Sequence, residues 1–476
     1  MSFSLAIDQS TTRTKVAIIN SNFEVVDVES RKHHQYYPQD GWVEHDAEEI
    51  YLQLIECVST LMSRNKMSIE FISLTNQRET SVVFDRFGHQ LHRAIVWKDI
   101  RTTSQCESLR VFEHEIFEKT GLLVNPYFSA TKFAWLQKVV GHRDALFGTM
   151  DSYLIYRLSG EFVTDMTNAS RTLLFDIYKE KWDDRLLELF DLSKIHLPTV
   201  LDCDSIFGYT DFEGVLKKKL PIVGVMGDSQ ASLFAQMCFQ TGDTKVTTGT
   251  GCSLLVNMGE KVVNHRMDVL STIGYSLNGV TTYASEGIIQ SCSDTLNWLK
   301  EIGVIGDESE LNQFTNLDSH GVVLIPAFYG DGVNSGSSRL NAMIAGITRN
   351  TSREDIVKAG LKSIPMQIYD AIKQMEERLS IKVSKLFVDG GASQNPLLMS
   401  FLSELLAVPV VVSKQHSLSM VGSAMMGSLG FYKQGLDDLV RMIENRYVIY
   451  LPKGKNLKFY EDELEMWRKA MNVVAK

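Results

Sequence analysis

Phe3-Ser4-Leu5-Ala6-Ile7-Asp8-Gln9-Ser10-Thr11-Thr12-Arg13-Thr14-Lys15-Val16-Ala17-Ile18-Ile19 lies near the start of the chain. The apolar runs Phe3–Ile7 and Lys15–Ile19 flank Asp8–Thr14, which is dense in turn-forming residues. That pattern predicts strand, polar turn, strand. A related unit recurs at Asp243–Met258, where Lys245–Thr248 leads into Gly249-Thr250-Gly251 and then the apolar Leu254–Val256. Two such hairpins about half a chain apart predict two domains of related architecture, each opening with a turn whose backbone N–H and hydroxyl groups suit phosphate.

Working outward, segments of helical period such as Ala47–Met62 and Ser232–Cys238 alternate with short β-branched runs such as Ile222–Val225, which predicts α/β layers. A length of 476 residues with 44% hydrophobic content fits two large domains. The nine prolines are dispersed and no Gly/Ser-rich linker appears. The boundary is therefore expected at a packed hinge near residue 238, dividing 1–238 from 239–476. Glu461–Ala475 reads as an amphipathic helix.

The net charge of -10 and pI near 5.6 argue against nucleic acid as a partner. Phosphate, if bound, must be held locally. Cys57, Cys106, Cys203, Cys238, Cys252 and Cys292 are scattered, with neither Cys-x-x-Cys nor a nearby His cluster. That spacing predicts reduced thiols rather than a disulfide framework or a zinc site. No apolar run approaches the ~18 residues of a membrane span, so a soluble cytoplasmic protein is expected. The oligomeric state is left open, a homo-oligomer included.

Four elements carry chemistry. The tip Asp8–Thr14 gathers an acid, three threonines and Arg13; its donors suit phosphate oxygens, and the carboxylate suits a water-bridged magnesium. Alone, the same turn reads as an ordinary polar hairpin. Val388-Asp389-Gly390-Gly391-Ala392-Ser393-Gln394-Asn395 sits between an apolar strand and a helical run, where glycines admit a nucleotide to the backbone or Asn395 simply caps the helix. Gly227-Asp228-Ser229-Gln230 precedes another helix, so Asp228 is either its cap or a base aimed at a substrate hydroxyl. Thr75-Asn76-Gln77-Arg78-Glu79-Thr80 offers a hydroxyl both a donor and an acceptor, unless Arg78 and Glu79 are a surface ion pair.

Taken in order, these segments resemble the FGGY carbohydrate kinases, most closely the glycerol kinase branch. Tyr37-Pro38 with Gly41–Asp46, Thr75–Thr80, Ala94–Trp97, Asn125–Phe128, Thr167–Thr172, Gly249–Cys252 and Val388–Ala392 carry the resemblance over nearly the whole chain. It implies two ribonuclease-H-like (actin-like ATPase) domains closing over an interdomain cleft, the first binding the acceptor and the second ATP. By the same resemblance Thr11 and Thr12, beside Arg13, hold phosphates with Thr250; Gly391 and Asn395 lie on the nucleoside side, where Ser293 and Asn297 replace the usual Gly and Gln. Asp8 lies near magnesium. Arg78, Glu79, Tyr127 and Asp228 bind the acceptor, Trp97 packs on its carbon chain, and Asp228 takes the proton of the attacking hydroxyl.

The implied activity is ATP-dependent phosphorylation of a terminal hydroxyl of a small polyol, glycerol first. Ser229 and Ser253 stand where Gln and Phe are usual, and Trp97-Lys98-Asp99-Ile100-Arg101 follows the Trp-x-Asp-x-Arg pattern of sugar kinases. These departures predict a roomier pocket, with Asp99 available to an extra hydroxyl, and keep erythritol or xylulose as alternatives. A catalytically weak, ligand-sensing relative is the alternative of another class. Asp211–Leu220 lacks the Gly-rich basic segment and the histidine through which some glycerol kinases are controlled.

Overall fold

Phe3–Gln9 and Arg13–Asn20 pair antiparallel, from Phe3 opposite Asn20 to Gln9 opposite Thr14, as the turn chemistry predicts. The computed structural model describes residues 2–474 apart from 142–143, 250, 261–266, 268, 290, 329–340, 416 and 443–445. The chain forms two units. Unit 1 comprises Met1–Phe239, Met258–Ala284 and Gln415–Asn445, and unit 2 comprises Gln240–Asn257, Ser285–Lys414 and Arg446–Lys476.

In unit 1 the hairpin belongs to a six-stranded sheet ordered Ile206–Thr210, Leu220–Gly227, Ile69–Asn76, Phe3–Gln9, Arg13–Asn20, Val25–Lys32. Leu220–Gly227, Ile69–Asn76 and Phe3–Gln9 run parallel. Consecutive residues Leu5, Ala6 and Ile7, Ile72, Ser73 and Leu74, and Ile222 and Val223 are all buried, as strands covered on both faces require. Helix Ala47–Arg64 starts at Asp46, whose carboxylate accepts from the amides of Glu48 and Glu49, and lays Ile50, Leu54, Val58 and Leu61 into this core. A four-stranded sheet, Glu44–His45, Gln90–Ile95, Ser81–Phe84 and Leu146–Thr149, shares unit 1.

Unit 2 repeats the hairpin with Thr244–Thr248 and Cys252–Gly259, paired from Thr244 opposite Val256 to Thr248 opposite Cys252. Thr244–Thr248 then runs parallel to Leu386–Gly390, which pairs with Val410–Ser413. Helix Leu457–Val474 covers the expected C-terminal helix up to Ala475, which lies outside the described residues.

One expectation is corrected. Cys252 and Cys292, 40 residues apart, stand as a disulfide pair with Cα atoms 6.0 Å apart, while Cys57, Cys106, Cys203 and Cys238 are buried and outside that pair. The Ser293 amide donates to the Gly249 carbonyl at 3.1 Å and draws the two turns together, which sequence spacing could not show. Among the described residues no helix is long and apolar enough to cross a membrane.

Candidate active site

Gln9, Asn76 and Gly227 are ladder neighbours at the carboxyl ends of the three parallel strands of unit 1. The segments that leave them are the hairpin tip, the Gln77–Thr80 loop and the helix starting at Asp228. The carboxyl edge of parallel strands is where open α/β sheets place ligands. Three of the four elements picked out from sequence therefore converge on one edge.

At the tip, the Ser10 amide and hydroxyl both donate to the Arg13 carbonyl, at 2.9 and 3.0 Å, closing the turn. The Thr11 carbonyl accepts from Gln35 Nε2 at 2.7 Å and lies 3.0 Å from His33 Nε2. Trp97 Nε1 donates to the Thr11 hydroxyl at 3.0 Å, so that oxygen is fixed while its own hydrogen stays available to an anion. Thr12 is exposed and Arg13 half-buried. Asp8 is buried, with Lys15 Nζ at 3.9 Å and the Ser419 hydroxyl at 3.4 Å. Burial outweighs the attraction of Lys15, and the neighbouring Asp228 charge adds to it, so the Asp8 carboxyl is pushed up to about 6.

Gly227 caps helix Asp228–Ala235 and Asp228 is its first residue, so the carboxylate is not the cap that the sequence allowed. Its Oδ1 accepts from the Ser229 amide at 2.7 Å and lies 3.4 Å from Arg78 Nε. Arg78 Nη1 also donates to Gln230 Oε1 at 3.2 Å. Arg78 and Glu79 are 6% and 1% exposed at the side chain, whereas Asp228 is 40% exposed. A buried pair thus backs an open carboxylate, which disposes of the surface-pair reading. Glu79 has φ of 60°, and its carbonyl accepts from the Ser129 hydroxyl at 2.9 Å. The rings of Trp97 and Tyr127 lie 5.4 Å apart.

Sequence reasoning gave two supporting residues no role. Arg171, wholly buried, donates from Nε to Glu79 Oε1 at 2.6 Å. Lys132, equally buried, donates to the carbonyls of Pro126, Tyr127 and Phe128, anchoring the loop that carries Tyr127. Burial lowers its ammonium to about 8. An arginine directly before Thr172-Leu173-Leu174-Phe175 was the available signal for a buried cation.

Asp99 is a correction. It is wholly buried, accepts from the Val43 amide at 2.6 Å and pairs with Arg101 at 2.8 Å. Arg101 in turn lies 3.8 Å over the Trp42 ring. The Trp-x-Asp-x-Arg pattern of this chain builds a structural ion pair and leaves Asp99 no oxygen for an extra hydroxyl.

Unit 2 carries the remaining candidates. Thr250 lies outside the described residues. Ser253 faces Thr247 across the hairpin, with both hydroxyl oxygens shielded and without a hydrogen-bond partner. Ser293 precedes helix Asp294–Glu301, on which Asn297 is exposed. Gly390 has φ of 89°, and a Cβ there would lie 1.9 Å from the Thr248 carbonyl, so only glycine fits the turn. Gly391 faces open space, and Asn395 caps helix Pro396–Leu406 by accepting from the amides of Leu397 and Leu398.

Among known proteins, the N-terminal domain model of the FGGY family of carbohydrate kinases matches residues 3–235, and the C-terminal domain model matches 244–431. Glycerol kinase 1 of Thermotoga maritima is 41% identical over 443 residues, 89% of this chain and 90% of that protein. The glycerol kinase of Oceanobacillus iheyensis is 41% identical over 451 residues, 90% of each chain. The crystal structure of Plasmodium falciparum glycerol kinase with ADP is similar at a TM-score of 0.94 and 31% identity, covering 100% of this chain and 99% of that one. With both of its domain models matched in order across most of the sequence, the chain belongs to the FGGY family of carbohydrate kinases.

Proposed function

We propose that the chain transfers the γ-phosphoryl group of ATP to a terminal hydroxyl of glycerol, giving glycerol 3-phosphate in the cytoplasm. The observation that carries this reading is the open Asp228 carboxylate, 3.4 Å from the buried Arg78, on the strand edge shared with the Thr11 hairpin. Asp228 takes the proton of the attacking hydroxyl. Arg78, Glu79 and Tyr127 orient the polyol, Trp97 covers its carbon chain and Ser229 borders it. Phosphoryl transfer passes through a loose transition state, so in-line positioning and charge neutralisation count for more than a strong base.

Residues 1–238 form the acceptor domain in this reading, and 239–476 bind ATP. Thr11, Thr12 and Arg13 would hold its phosphates with Thr250, and Ser293, Asn297, Gly391 and Asn395 would lie along the nucleoside. Asp8 fits magnesium: a buried oxygen donor whose cationic neighbour is 3.9 Å away is under-compensated. Magnesium is commonly held by one or two carboxylates plus substrate phosphates and water. When bound, it would neutralise charge on those phosphates. Among the described residues no group of three or more metal-ligating side chains offers an alternative.

Engagement of Asp99 removes one of the three grounds for a longer acceptor, and the 41% identical relatives are glycerol kinases, so glycerol is the favoured substrate, with Ser253 bordering it alongside Ser229 in this reading. Acceptor-dependent ADP release measured with glycerol, erythritol, the pentitols and xylulose should give the highest kcat/KM with glycerol. Release with xylulose or a pentitol alone would shift the reading to a longer acceptor, and no acceptor-dependent release at all would overturn it.

A further inference from the structure

Besides the contact of Arg171 with Glu79, the run Thr167-Asn168-Ala169-Ser170-Arg171 reaches, with Asp165, each element that presents an acceptor-facing charge. Asp165 is wholly buried. Its Oδ2 accepts from the Thr167 amide at 2.7 Å and from the Thr167 hydroxyl at 2.6 Å. Its Oδ1 accepts from the Asn168 amide at 3.2 Å and from Asn168 Nδ2 at 2.7 Å.

A threonine hydroxyl has one hydrogen, and Thr167 gives it to Asp165. Its lone pairs are thereby left to the Gly227 amide, which donates to Thr167 Oγ1 at 2.8 Å. Gly227 is the residue directly before Asp228. On the other arm, Asn168 exchanges two amide hydrogen bonds with Asn76, each of 3.0 Å, and Asn76 opens the loop of Arg78 and Glu79. One buried carboxylate therefore sets the hydrogen-bond polarity beneath both the base and the acceptor loop. Reversing that polarity at either arm would set two donors, or two acceptors, against each other in a buried site.

We propose that Asp165 and Thr167 are a positioning pair: the Thr167 hydroxyl, oriented by Asp165, holds the Gly227 amide and so fixes the direction in which Asp228 presents its carboxylate to the acceptor hydroxyl. The inference rests on the reading of Asp228 as the base. Thr167 touches neither reactant and acts only through the Gly227–Asp228 backbone. Displacement of a reacting group by about 1 Å is enough to lose roughly 10²-fold in rate.

The test is a double-mutant cycle of Thr167→Val with Asp228→Asn on the full chain. Thr167→Val keeps volume and removes the hydroxyl; it should lower kcat about 10–100-fold with the acceptor and ATP KM values changed less than about threefold. Thr167→Ser, which keeps the hydroxyl, should restore kcat to within about threefold of wild type. In the Asp228→Asn background, Thr167→Val should cost almost nothing further, because its effect travels through the lost base. An additive loss in that background, or failure of serine to rescue, would overturn the inference while leaving the functional reading intact. Unaltered turnover in Asp228→Asn alone would remove the base and this inference together. Should Thr167→Val not fold, Thr167→Ala is read through the same cycle.

Discussion

Arg171 is wholly buried and bonded to Glu79, itself almost fully enclosed. Removing Arg171 takes from Glu79 its nearer cation, at 2.6 Å against 3.8 Å for Arg78, in a medium that solvates charge poorly. Arg171→Met is therefore expected to cost about 3–5 kcal/mol of stability, read by denaturant unfolding. A loss below about 1 kcal/mol would mean that Glu79 does not depend on it. Asp8 makes a prediction of opposite sign. Its carboxyl is raised to about 6 in the folded protein, so the folded state binds a proton more tightly than the unfolded chain, and stability falls as pH rises from the ordinary carboxylate range through 6. Without divalent cations, Asp8→Asn should gain roughly 1–3 kcal/mol over wild type at pH near 7, and nothing below the ordinary carboxylate range. Equal effects at both pH values would rule out burial of the Asp8 charge as the cause. Asp99 marks the limit of reading single residues. Its neighbours Trp97 and Arg101 suggested substrate contact, but the groups that occupy it include the Val43 amide, 56 residues away.

At the scale of elements, helix Leu418–Tyr432 packs against helix Asp228–Ala235, which carries the proposed base. A Cβ on Gly422 would lie 1.8 Å from the Ala231 carbonyl, and backbone on both sides leaves nothing flexible to yield. Gly422→Ala should therefore push the two helices apart, costing about 1–3 kcal/mol and lowering kcat more than it alters the KM for ATP. Wild-type turnover with an unchanged melting temperature would contradict that packing. Elements whose signal is local were legible in the sequence. Both hairpins, helix Ala47–Arg64 and the Asn395 cap follow from periodicity and turn chemistry. Helix Asp228–Ala235 starts earlier than its apolar pattern suggests, because Gly227 supplies the cap and its first turn is polar. The Lys132 anchor under the Tyr127 loop was not legible, since a lysine in a helical run reads as solvated until its carbonyl partners are placed.

For the whole molecule, the α/β class and the two-unit plan followed from length, composition and the repeated hairpin. The return of Met258–Ala284 and Gln415–Asn445 to unit 1 did not, because contacts between residues hundreds of positions apart leave no local pattern. The same holds for the proposed acceptor site: Arg78, Glu79 and Asp228 were chosen in sequence, but their spacing alone could not tell a surface pair from a buried pair backing an open carboxylate. The central claim is that this carboxylate is the proton acceptor in phosphoryl transfer to a polyol. Its most direct test is kcat for glycerol-dependent ADP release in wild type and Asp228→Asn, with glycerol and ATP binding measured on the same preparations. A base at Asp228 requires a fall of about 10²–10⁴-fold in kcat with both ligands still bound; near wild-type kcat in Asp228→Asn would rule it out.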